Sequence, residues 1–445
     1  MDRLQRLPTE IILEIIKSIN LMGVSSARDG TGKEDLCQLR LVSKLFAKLV
    51  CIVLFPTLHL QIWEAPGPTP EYTRHQEIIV AVASGSTAVF DSTQKLYFRR
   101  GPITLGKKED ASEVSSVQQI IADNIFDVVC ALKNLHTIWY SSTCDPMQLI
   151  NKVIPALGTL LSFQGFEFLC FNDFFPPFST IKLLSNLTII RVVWSLQATA
   201  GDPTLREIFS EIGNLKKPWK LRTLRLKGLH VAVDDFQTHV QHFKNLTFLG
   251  VTENSNPNAA TAFGGICQLL RQHNHVKLDG VETDLPEDPL LLSYLSSYSG
   301  LTTLRLNQRS VIENPGVVDR VYMQVLTKHA ETLECLEIGS FISDSFQTKE
   351  QLVQLLSCQK LSTLEVYSIS NFERLARGDG SNFEAWYEIG LQLPKLSHLF
   401  ILPASEETRE PTSHTYFWDK VKEEVQARYR KEKGMRFEVE QYPHH

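Results

Sequence analysis

The chain has 445 residues, 43% of them hydrophobic and 21% charged, so it exceeds one ordinary domain and has enough apolar material for a large core. A net charge of -5 excludes an overall attraction to nucleic acid or anionic lipid. No segment reaches the roughly 18 apolar residues of a membrane span, no leader pattern is visible, and the eight cysteines are scattered without a C-x-x-C pair, so reduced thiols in a cytoplasmic or nuclear protein are expected.

Leu7-Pro8-Thr9-Glu10 reads as a helix start, with Pro8 at the first position, where a missing N–H costs nothing, and Glu10 in the first turn. Ile11, Ile12, Ile15, Ile16 and Ile19 follow at helical spacing and form one broad apolar face. Asn20 to Asp35 reads as a glycine- and serine-containing loop. Within it, Arg28-Asp29-Gly30-Thr31-Gly32-Lys33 lacks the earlier glycine and the following Ser or Thr of a phosphate loop. A second helical run holds Leu36, Leu39, Val42, Phe46, Leu49 and Val50, with Ser43 placed to cap a new turn. Phe55 to Leu60 reads as a first strand, Pro66, Pro68 and Pro70 as a stiff connector, Glu71 to Ser84 as a helix and Lys95 to Phe98 as an early strand.

From there one pattern recurs: apolar, two residues, apolar, one residue, apolar. It begins at Leu135, Phe163, Leu187, Leu221, Leu246, His273 in a weaker copy, Leu301, Leu333, Leu361 and Leu396, at spacings of 24 to 35 residues. Helical signals lie between, at Ser112 to Leu132, after Asp202-Pro203, after Asn314-Pro315, and at Ser381-x-x-Glu384. Strand and helix alternate, which demands parallel strands joined by crossovers and predicts a right-handed solenoid. Only Asn254 falls where regular repeats of this kind place an Asn or Cys, so uneven turns are expected. Tyr416 to Lys433 reads as an amphipathic capping helix, followed by a short strand from Arg436.

With a side-chain period of two, the residue between the last two apolar positions faces the open side of the sheet. Along the repeats that residue is Trp139, Glu167, Arg191, Arg225, Gly250, Lys277, Arg305, Glu337, Glu365 and Phe400. Cations stand in four of the five central repeats, which predicts a surface for an acidic or phosphorylated target. Trp139, Tyr367 and Phe400 add aromatic anchors. No catalytic constellation stands out. His239-x-x-His242 lacks a third ligand at metal spacing and is expected on a solvent-facing helix, so neither a metal nor a cofactor is expected.

The opening L-P-x-E with the later L-x-x-L-R-x-V-S-x-x-F resembles an F-box, and the repeats resemble the divergent leucine-rich repeats of fungal-style F-box proteins. The resemblance implies an α/β chain: an F-box helical domain at 1–55, a connector with the first irregular repeats at 56–110, a leucine-rich-repeat solenoid at 111–414 with its parallel sheet concave and its helices convex, and a cap at 415–445. It implies that Leu7, Pro8, Ile11, Ile15, Val42 and Phe46 contact the Skp-type linker subunit of a cullin ubiquitin ligase. Trp139, Arg191, Arg225, Lys277, Arg305, Tyr367 and Phe400 would then face a target protein. The chain departs from the family in its long Asn20–Asp35 loop and in having Phe46 where Trp is common. The function expected is that of a substrate adaptor without an activity of its own. The alternative is a repeat-based interaction module outside any ligase.

Overall fold

The computed structural model describes residues 8–25, 36–61, 70–85, 87, 91–99, 111–141, 149–170, 178–194, 204–209, 218–254, 259–307, 315–339, 348–368, 381–403 and 436–437. The chain divides into two compact units. The first comprises Met1–Gly201 with Ile208–Trp219, the second Asp202–Glu207 with Lys220–His445.

The first unit opens with helix α1 (Thr9–Ser25), a turn α2 at 36–39, and α3 (Lys44–Leu54). Pro8 stands one residue before α1, and its carbonyl accepts from Ile11 N and Ile12 N at 3.0 and 3.2 Å. Helix α1 runs to Ser25, through residues expected as loop; Arg28 to Lys33 lie outside the described residues. Ser43 caps α3 as its position predicts, accepting from Phe46 N at 3.2 Å. Ile12, Ile16, Leu36, Phe46, Leu49 and Val50 close into one small core.

Five strands follow, separated mostly by helices: β1 (Thr57–Gln61), α4 (Pro70–Ala83), β2 (Lys95–Arg99), α5 (Ala111–Ala131), β3 (Thr137–Ser141), α6 (Ile150–Gly158), β4 (Gly165–Cys170) and β5 (Ile189–Trp194). All pair in parallel in chain order. Leu58, Leu60, Leu96, Phe98, Ile138, Tyr140, Phe166 and Phe168 are buried on one side, as their alternation requires. Phe98, Tyr140 and Phe168 line that side, Phe98 tilted against Tyr140 with centroids 5.3 Å apart and Tyr140 stacked on Phe168 at 5.9 Å. Helix α5 packs on both α4 and α6.

The second unit repeats the plan. It runs β6 (Thr223–Lys227), α7 (Val233–His239), β7 (Phe248–Thr252), α8 (Ala259–Asn274), β8 (Gly280–Thr283), α9 (Pro289–Ser296) and β9 (Thr303–Leu306). Then come α10 (Pro315–Arg320), continued by a π turn and a last α turn to His329, β10 (Cys335–Ile338), α11 (Lys349–Leu356), β11 (Thr363–Ser368), α12 (Ser381–Gln392), β12 (His398–Pro403) and β13 (Arg436–Phe437). These strands too are parallel and ordered as in the chain. The molecule is therefore α/β with all-parallel strand pairing. The capping helix expected at Tyr416 to Lys433 lies outside the described residues.

One repeat differs from expectation. The strand lies at Gly280–Thr283, so the motif is Leu278-x-x-Val281-x-Thr283 and the weaker copy at His273 is a register error. Leu246 to Leu278 is then 32 residues and Leu278 to Leu301 is 23. The physical reason is in the partners of 276–278. The Tyr294 hydroxyl donates to Val276 O and accepts from Leu278 N, and the Tyr298 hydroxyl donates to Leu278 O, so side chains take the bonds a strand would have used. Thr283 is fully buried despite its hydroxyl, which accepts from Leu285 N at 3.1 Å.

A second set of bonds ties successive repeats together at the starts of their strands. The residue after the first leucine of a repeat is often Thr or Ser, and its hydroxyl donates to the carbonyl of the equivalent residue one repeat earlier. Thr247 bonds Arg222 O at 3.2 Å, Thr302 bonds Asp279 O at 2.9 Å, Ser362 bonds Glu334 O at 3.0 Å and Ser397 bonds Ser362 O at 3.0 Å. In the first unit Thr188 reaches Gln164 O at 3.4 Å. Asn254 does what its position predicts: it accepts from Val231 N and donates to Val231 O, both at 3.0 Å.

Candidate functional site

The helical start of the first unit sorts its apolar residues in two. Ile12 and Ile16 point into the small core, while Ile11 is 48% exposed, Ile15 44% and Val42 39%. Leu41 and Leu45 are exposed as well. The single broad face expected of α1 is thus two faces, one covered and one open. Ile11 and Ile15, four residues apart, lie on the same outer side of the helix. Pro8 is exposed, and Leu7 lies outside the described residues. Phe46 differs from expectation: it is 6% exposed and belongs to the core under α1, so its ring supports the module from inside. Sequence spacing puts Phe46 on the same helical run as Val42, and only the packing of α1 on α3 separates their roles.

The open side of the first unit's strands carries an aromatic ladder. His59, Tyr97 and Trp139 stand in register on β1, β2 and β3. The rings of His59 and Tyr97 are 5.0 Å apart and those of Tyr97 and Trp139 5.8 Å. Glu167 and Arg191 continue the row and form an ion pair at 3.4 Å. Trp139 thus stacks on Tyr97 and ends a ladder of three rings, of which the recurring motif marks Trp139 alone. The signal was present as Leu58-His59-Leu60 and Leu96-Tyr97-Phe98, whose short alternation marks the same central position.

In the second unit the corresponding row is Arg225, Gly250, Glu282, Arg305, Glu337, Glu365 and Phe400. Lys277 is not part of it. It is exposed in the segment before β8, and Glu282 takes the place expected for it. The cations do not stand beside one another. Arg225 reaches across Gly250 to Glu282 at 3.3 Å and lies 4.4 Å over the Phe248 ring; Arg305 pairs with Glu337 at 3.5 Å. A Cβ at Gly250 would sit 3.3 Å from both Arg225 Cγ and Glu282 Oε2, so a side chain there would crowd that pair. With three carboxylates to two guanidiniums in this row, the charge argument for an acidic or phosphorylated target does not carry over. Partly exposed pairs of this sort contribute about 0–1 kcal/mol each.

The most tightly built part of the row is at β10 and β11. Glu337 and Glu365 are register partners, and the Tyr367 hydroxyl stands between them, 3.2 Å from Glu337 Oε1 and 2.8 Å from Glu365 Oε1. Glu337 is 6% exposed. Burial, then the charge of Glu365, pushes its carboxyl up to about 7, against the opposing pull of Arg305. Burial alone would lower Arg305, but Glu337, Cys335 and Glu282 outweigh it and raise it. Tyr367 is therefore placed as expected on the open side, and it belongs to a carboxylate cluster. Phe400 extends the row, its ring 6.2 Å from that of His398.

His239 and His242 correct a further expectation. Both are buried, at the end of α7 and in the turn after it, and not on a solvent-facing helix. Burial lowers both, and His242, beside His239, falls to about 4. Among the described residues no group of three or more His, Cys, Asp or Glu side chains is arranged to hold a metal ion, and no helix is long and apolar enough to cross a membrane. A scan against protein-family models and a search of curated proteins return no match for this chain.

Proposed function

We propose that the chain is a substrate adaptor of a Skp-cullin-F-box type ubiquitin ligase, with residues 1–55 as an F-box, 56–110 as a connector with the first irregular repeats, 111–414 as an irregular right-handed leucine-rich-repeat solenoid and 415–445 as its cap. In this reading Leu7, Pro8, Ile11, Ile15 and Val42 dock the linker subunit. The strand rows hold a target protein, and the adaptor acts by proximity, raising the effective concentration of the target near the ubiquitin-charged enzyme without a catalytic side chain. It would work in the cytoplasm or nucleus.

The observation that carries the reading is the division within α1: a packed inner set, Ile12 and Ile16, under an open apolar outer set, Ile11 and Ile15. An apolar face left open on so small a helical module fits a partner that covers it. Phe46 favours the second reading, an interaction module outside any ligase, because a ring held in the core is not offered to a partner. Capture of a purified Skp-type linker subunit separates the two. Wild type should retain it, and Leu7→Ala with Pro8→Ala should not; wild type that captures none returns the chain to the second reading. Trp139→Ala should release the target while leaving linker capture intact.

A further inference from the structure

Two glutamates face each other across β10 and β11, and the single hydroxyl between them has one hydrogen to give. Tyr367 can donate to Glu365 or to Glu337 at one time, not to both. The unequal distances assign the roles. The shorter contact, 2.8 Å, gives the Tyr367 hydrogen to Glu365, and the longer 3.2 Å contact leaves Glu337 as the side that must supply its own hydrogen. A protonated Glu337 then donates to the Tyr367 oxygen, and the chain Glu337 to Tyr367 to Glu365 is fully bonded.

We propose that Glu337 and Glu365 hold one proton between them through the Tyr367 hydroxyl, and that release of this proton is a built-in switch on the charge and cohesion of the β9–β11 face. With the proton bound, the pair carries one negative charge and β11 is tied to β10 by side chains as well as backbone. Without it, two carboxylates in register on neighbouring strands, which lie about 4.8 Å apart, repel each other, one of them buried.

The charged and titratable neighbours among the described residues enter the balance. Arg305 on β9 faces Glu337 at 3.5 Å and favours the ionised form. Glu282 on β8 and Glu365 on β11 oppose it, Cys335 lies on the same strand, and β12 presents Phe400 opposite Glu365 and His398 opposite Thr363. Burial and the two carboxylates outweigh Arg305, which places the release near neutral pH. Glu337 is raised in the folded state, so the folded chain binds this proton more tightly than the unfolded one. Its stabilising contribution is complete below about 4.5 and lost as pH rises through about 7. The adaptor reading bears only on what the switch would serve: a target on this face would meet one charge in acid and two in base.

The test uses the full chain with glutamate carboxyl carbons labelled for NMR, titrated from acid to mildly alkaline pH. One carboxyl should titrate near 7, corresponding to about 300-fold tighter proton binding than an ordinary glutamate. That signal should vanish in Glu337→Gln, and move toward the ordinary carboxylate range in Glu365→Gln, where the repelling charge is gone. Relative to Glu337→Gln, the urea unfolding midpoint of wild type should fall between pH 5 and 8, a difference in which the opposite contribution of the buried histidines cancels. No glutamate titrating above pH 6 in wild type, or a signal that survives Glu337→Gln, overturns the proposal. Should Glu337→Gln fail to fold, the wild-type titration and its displacement in Glu365→Gln decide alone. Linker capture is a separate assay that none of these variants should alter, so failure of the switch and failure of the adaptor reading are distinguishable.

Discussion

Replacing Ile11 and Ile15 together by alanine removes the open apolar side of α1 while leaving its packed side in place. The two side chains are 48% and 44% exposed, so a partner that covers both hides about one full isoleucine's worth of surface. Complete burial of such a side chain stabilises by about 1.5–3 kcal/mol, which corresponds to roughly 10- to 150-fold in the dissociation constant for the linker subunit. The substitutions also lose the inner halves of both residues, so the assay needs two readouts: linker titration and urea unfolding of the same preparation. Ile12→Ala with Ile16→Ala is the contrast, because these side chains are buried and each deletion should cost folding about 2–5 kcal/mol. A double Ile11, Ile15 variant that folds and still binds the linker within twofold of wild type would refute the docking argument.

Other outcomes follow from single packing details. Gly264→Ala in α8 should destabilise by about 1–3 kcal/mol in urea, since its Cβ would lie 2.5 Å from Asp288 Oδ1 and from Leu291 N. Asp288→Ala should lower the unfolding midpoint by a similar amount or more, because the buried carboxylate accepts from Gly264 N, Leu290 N and Leu291 N; Asp288→Asn should recover part of the loss. The buried histidines should make the fold acid-sensitive in the sense opposite to Glu337. His242 is lowered to about 4 from the ordinary 6.5, so its neutral form stabilises the fold above 6.5 and up to about 3 kcal/mol is lost as pH falls toward 4, a loss that His242→Phe should reduce in a pH series of urea midpoints. Lys277→Ala should leave stability unchanged within about 0.5 kcal/mol, as the residue is exposed outside the strand row.

The elements were legible where one local rule governed them. Ser43 caps α3 because a cap needs a side-chain oxygen placed just before the first turn, and Leu58-His59-Leu60 forms β1 because period-two alternation suits a sheet with one buried side. The repeat at Leu278 hides from the apolar pattern because its third inward position is Thr283, whose burial depends on a hydroxyl finding Leu285 N, a partner that composition does not announce. His239 and His242 look like polar residues on a short helix, and only the surrounding repeats decide that they are covered. The strand row was legible in most of its members, though not in His59, Tyr97 and Glu282, and not as a pattern of charge. Arg305 meets Glu337 from 32 positions away, and that meeting exists only once β9 and β10 are in register. Ile11 and Ile12 are chemically identical neighbours, and the packing of α1 on α3 alone sends one inward and leaves the other open.

The hydroxyl rungs at Thr247, Thr302, Ser362 and Ser397 separate two demands that a repeating structure usually has to meet together. Each rung aligns a strand with its predecessor through one residue at the strand's start, so alignment does not depend on how much chain lies between two rungs. Segments of 23 residues and of 35 residues therefore coexist in one chain without a slip in strand pairing. Inserted chain can lengthen a helix or a loop on the far side of the sheet without disturbing the row that faces outward. Whole turns of helix can therefore be added or removed on one side of the sheet while the residues in register on the other keep their order.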